Sequence, residues 1–90
     1  MASMFEENLT EPTVEGKVRQ LLEVLISVPF DSTSAEFNWR EGLDEDRVGY
    51  VSTMLAEALT TYFNVPTEPE DLENLSTVQD IVNRINNGSA

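Results

Sequence analysis

The chain has no cysteine and no histidine. The first absence excludes disulfides, thiol nucleophiles and thiolate metal sites. The second removes the commonest general base and the commonest metal ligand, so neither a hydrolytic triad nor a zinc centre is expected. Bases are scarce too: five Lys and Arg stand against 17 Asp and Glu, a formal charge of −12. Such a surface repels nucleic acid and anionic membranes and suits a basic partner, and it also serves solubility. Four glycines and four prolines are too few for a low-complexity chain. No apolar run reaches membrane-spanning length and no secretory pattern opens the sequence, so a cytoplasmic protein is expected.

What is present suits a small helical domain. Ninety residues, 40% of them hydrophobic, build one modest core. Residues 1–12, "MASMFEENLTEP", have no period and read as a flexible leader; residues 13–88 read as a single domain. Thr13 can cap a first helix running from Val14 to about Val28, with Val14, Val18, Leu21, Leu22, Leu25 and Val28 on one face and Pro29 as its stop. Residues 29–45 form a long irregular stretch, and Phe30, Phe37, Trp39 and Leu43 are expected to tie it to the core.

A second helix is expected from about Asp46 to Phe63, capped by Asp44 or Asp46, with Val48, Val51, Leu55, Ala58, Leu59 and Tyr62 facing inward. On the same wheel Tyr50, Met54, Glu57 and Thr61 form a narrow outward stripe. After Pro66, "TEPEDLENL" offers a short third helix with Thr67 and Glu70 as a capping box and Pro69 in its first turn. "STVQDIVNRI" is the last helix, with a Ser76–Gln79 capping box, Val78, Ile81, Val82 and Ile85 inward, and Asn87-Gly88 as its stop. The sum is an all-α, four-helix bundle: three longer helices, one short helix and a long first loop.

"VRQLLEVLISV" resembles the first helix of acyl carrier proteins, and "AEALTTYFNVPTEPEDLENLSTVQDIVNRI" resembles their second-helix end, short third helix and last helix. The "F-x-V-P" turn and the "L-S-T-V-Q-D-I-V" start are the most specific pieces, and the likeness covers roughly residues 14–86. The resemblance implies an acyl or aminoacyl carrier whose 4′-phosphopantetheine arm is joined to a serine in a G-x-D-S-L type motif at the start of the second helix. Here three registers place that serine at Gly49, Arg47 or Asp46, and none is serine. Ser52, in "GYVS", is the nearest hydroxyl. It would shorten the helix by nearly a turn, put Val51 where the family carries an acid, and lie beside the inward face.

The expectation is therefore a non-catalytic, acyl-carrier-like interaction or accessory module of a biosynthetic system, monomeric, with no cofactor and no metal. Its recognition surface would be Glu41, Asp44, Glu45 and Asp46 before the second helix, which also suit the helix dipole. The Tyr50, Met54, Glu57 and Thr61 stripe would complete it. The partner would be a protein with a basic surface. Two alternatives stand beside this: a true carrier bearing phosphopantetheine on Ser52, and an acidic decoy of a nucleic-acid-binding protein. Asp44, Glu45 and Asp46 lack the spacing of a calcium loop.

Overall fold

Thr13 and Pro29 frame the first helix. The structure, a computed structural model, describes residues 7–88. Helix α1 spans Val14–Ile26. The Gly16 N–H donates to Thr13 Oγ1 at 3.0 Å, closing one of the free donors of the first turn. The helix ends two residues before Val28, because a residue preceding proline is driven out of the helical region. Ser27 takes the left-handed conformation instead, at φ 57°.

Of the expected flexible leader, residues 1–6 lie outside the described residues. The rest is docked. Leu9 is buried in the core. Its carbonyl accepts from Lys17 Nζ at 3.3 Å, and Gln20 pins the neighbouring chain by accepting from Glu11 N and donating to Thr10 Oγ1, both at 2.9 Å. Glu11 packs so close to Gly16 that a Cβ there would sit 2.7 Å from the Glu11 Cβ. One leucine and a few polar contacts hold the segment, which is why no period announces it.

The long loop is fixed by Trp39, which is fully buried. Around it the loop pairs with the chain entering the last helix: Asn38 and Thr77 form an antiparallel bridge, Trp39 N donates to Ser76 O at 3.0 Å, and Val78 N donates to Phe37 O at 3.0 Å. Phe37 and Leu43 lie half-buried against the core. Phe30, expected as a further core tie, instead sits beneath the Arg19 guanidinium, 4.0 Å from its ring centroid.

Helix α2 spans Glu45–Glu57, with Asp44 as its cap: Arg47 N donates to Asp44 Oδ1 at 2.8 Å. The chain continues as a π-helical turn, Ala58–Tyr62. The wider turn hands over to the next segment through Phe63 N to Ala58 O and Val65 N to Leu59 O, at 3.1 and 2.7 Å.

A short 3₁₀ helix follows over Pro69–Asn74. Its capping box is Glu68 with Asp71, one residue beyond the expected Thr67–Glu70 pair. Thr67 is drawn inward, where its N–H donates to Thr60 Oγ1 and its hydroxyl to Val65 O. The box of the last helix, α3 (Val78–Gly88), is also shifted by one, to Thr77 and Asp80. Ser76 cannot serve in that frame, because its carbonyl is already paired with Trp39 and the helix starts one residue later.

Val18, Leu21 and Leu22 of α1, Val51, Leu55 and Leu59 from α2 and its π-turn, and Val78, Ile81 and Ile85 of α3 close the core with Trp39, Val65 and Leu72. The described residues are thus mostly helical, with one isolated bridge and no strand. None of their helices is long and apolar enough to cross a membrane.

Candidate functional site

The start of α2 carries a dense negative charge. Glu41, Asp44, Glu45 and Asp46 are all exposed. Asp44 is committed to the cap, and Glu45 and Asp46 lie in the first turn, where they complement the helix dipole. Among the described residues no group of three acids is placed to hold a metal ion.

Few bases stand against them, five in the whole chain against 17 acids. Each of the five basic side chains donates to a main-chain carbonyl. Lys17 reaches Leu9 O, Arg19 reaches Phe30 O, Arg40 reaches Leu72 O, Arg47 reaches Leu25 O and Arg84 reaches Pro66 O. Arg47 is instructive. Helix α1 has no base in its own last turn, and Arg47 of α2 satisfies its Leu25 carbonyl at 3.0 Å while lying over the Tyr50 ring, 5.6 Å from the centroid. Ion pairing is sparse among the described residues: Arg19 to Glu15 at 3.9 Å and Arg84 to Asp71 at 3.8 Å. The bases hold loops and helix ends together, and most of the acids face solvent.

The outward stripe of α2 is uneven. Tyr50 is 51% exposed, and Glu57 and Thr61 are exposed. Met54, expected on the open face, is half-buried and packs against the core. Its flexible side chain folds down to fill the edge of the helix contact. Thr61 spends its hydroxyl on the Glu57 carbonyl at 2.8 Å. The free apolar anchor is therefore Tyr50 alone.

Ser52 is only 8% exposed. It lies at an open cavity of about 570 Å³ between the first half of α2, the end of the long loop and the 3₁₀ helix. Leu43, Val48 and Pro69 supply apolar wall; Arg40, Glu45, Glu70 and Glu73 are charged groups around it. Sequence reading did not find this groove. Its residues come from three segments far apart in the chain, and only burial of the loop by Trp39 brings them together. Of the expected recognition residues, Glu45 lines it, whereas Glu41, Asp44, Asp46 and the Tyr50–Thr61 stripe do not. No protein-family model, curated protein or solved structure matches the chain.

Proposed function

We propose that this protein is a non-enzymatic, acyl-carrier-like interaction module, gripped by a basic partner but not loaded with a phosphopantetheine arm. The finer fold assignment, a carrier-type four-helix bundle, belongs to the same proposal. The order of long helix, long loop, long helix, short helix and final helix supports it, together with the turn at Phe63–Pro66.

The observation that carries the proposal is the make-up of the α2 start. The exposed positions between Asp44 and Tyr50 include no serine or threonine, and the first serine, Ser52, is 8% exposed. Arm transfer needs a hydroxyl that a modifying enzyme can reach and from which the arm can swing freely. With no cysteine in the chain, no side chain offers a substitute thiol. What remains at this end is the exposed acids and Tyr50, with the bases turned to backbone carbonyls. That is a surface for a protein with basic and aromatic-accepting groups.

The test is a comparison of variants against one purified partner. Tyr50→Ala leaves stability nearly unchanged and weakens partner binding, because Tyr50 is exposed. Met54→Ala weakens folding, by about 1–3 kcal/mol for a half-buried core-edge side chain, with less effect on binding. Equal partner binding by wild type and a folded Tyr50→Ala variant counts against the stripe as an anchor.

A further inference from the structure

Residues 7–12 lie against the first turns of α1, and Leu9 is the one buried side chain among them. Two side chains of α1 hold the chain on either side of it. Lys17 Nζ donates to Leu9 O at 3.3 Å, while Gln20 accepts from Glu11 N and donates to Thr10 Oγ1, both at 2.9 Å. Bonds of this kind contribute modestly to net stability, so the buried leucine is the anchor. The helix does not depend on the segment. Its cap is Thr13, which comes after it: Thr13 Oγ1 accepts from Gly16 N and Thr13 O from Lys17 N, both at 3.0 Å. Pro12 and Thr13, at the junction, are exposed. Helix α1 can therefore keep its first turn while the chain before it moves.

Gly16 is the independent observation. It is buried in the first turn of α1, and no left-handed φ calls for glycine there. Alanine would suit the helix better. What calls for glycine is space. The three nearest neighbours of a Cβ at this position would all be Glu11 atoms: Cβ at 2.7 Å, and Cγ and Oε1 at 3.0 Å. The Glu11 Cβ is fixed to the main chain and cannot swing aside, so an added methyl displaces the segment. Helix α1 thus carries a poorer helix former at the point where the segment lies down. We infer that residues 7–12 are a strap that docks and lifts as a unit separate from the bundle, with Gly16 as its seat, and that lifting bares the apolar site filled by Leu9. The seat is roughly 14 Å along the helix axis from Leu25, whose carbonyl Arg47 of the acidic α2 start binds. The strap is therefore a device apart from the proposed grip and does not rest on the carrier-like reading.

Native-state amide exchange of the full chain in low urea reads the opening directly. The Glu11 N–H, bonded to Gln20, should exchange at least about 100-fold faster than those of Leu22 and Ile81, with little dependence on urea because its opening exposes little surface. Matching rates or a matching urea slope would mean that strap and bundle open together, and would overturn the proposal. Gly16→Ala tests the seat through the sign of its effect on Tm. In the wild-type background it should lower Tm, because it displaces Leu9. In a Leu9→Ser background, where the strap has lost its anchor, the same change should raise Tm, because alanine is the better helix former. Leu22 and Ile81 should stay protected in both single variants and in the double variant. A rise in both backgrounds would show that Glu11 yields freely, and a fall in both would place the strain outside the strap. Loss of protection at Leu22 and Ile81 would make Leu9 part of one cooperative core. Each of these three results would overturn the proposal.

Discussion

The indole Nε1 of Trp39 donates to the carbonyl oxygen of Leu75 at 2.7 Å, joining residues 36 positions apart. This bond fastens the long loop to the chain entering α3 and so sets one side of the groove. Trp39→Phe keeps most of the buried ring but strands the Leu75 carbonyl. We expect a loss of about 1–3 kcal/mol, the cost of one buried group left unsatisfied. Urea denaturation with an unchanged slope measures it. A change below about 0.5 kcal/mol, within the range of ordinary surface substitutions, would mean that water replaces the indole.

The direction of the basic side chains predicts the response to salt. At −12 the molecule repels itself. Its cations are engaged with backbone carbonyls at helix ends and loops, and the two ion pairs among the described residues are long. Salt therefore screens much repulsion and little attraction. Sodium chloride should raise stability by about 1 kcal/mol, seen as a rise of about 4–8 °C in Tm for a domain of this size. A Tm that falls with salt would show that the exposed ion pairs outweigh the repulsion.

The start of α3 offers a sharp test of register. Asp80 N donates to Thr77 Oγ1 at 3.1 Å, and Thr77 N donates to Asp80 Oδ2 at 3.3 Å. Thr77→Ala should cost about 0.5–2 kcal/mol, as for other lost caps. Ser76→Ala should stay within about 0.5 kcal/mol. The reverse order would restore the Ser76–Gln79 box that the sequence suggests.

That pair illustrates what sequence could and could not tell. Helical periodicity located all three longer helices, because Val18, Leu21, Leu22 and Leu25, or Val78, Ile81, Val82 and Ile85, can share a face only at that spacing. The caps of the short helix and α3 each formed one residue beyond the box that the sequence spacing suggests. Tertiary contacts set the shift: Thr67 is taken by Thr60, and the Ser76 carbonyl is taken by Trp39. Leu9 had no periodic neighbours to mark it as core. Met54 lay on the outward side of the wheel, yet a long thioether bends to reach the core edge. The acids at the α2 start were legible one by one. The groove was not, because Arg40, Ser52 and Glu73 become neighbours only after folding.

The most direct measurement is the intact mass of the protein after incubation with a promiscuous phosphopantetheinyl transferase and coenzyme A. A bundle with no reachable serine at its α2 start should keep its original mass, while a conventional carrier in the same reaction is converted. Conversion of this chain, mapped to Ser52 and abolished by Ser52→Ala, would contradict the account and make it a loaded carrier.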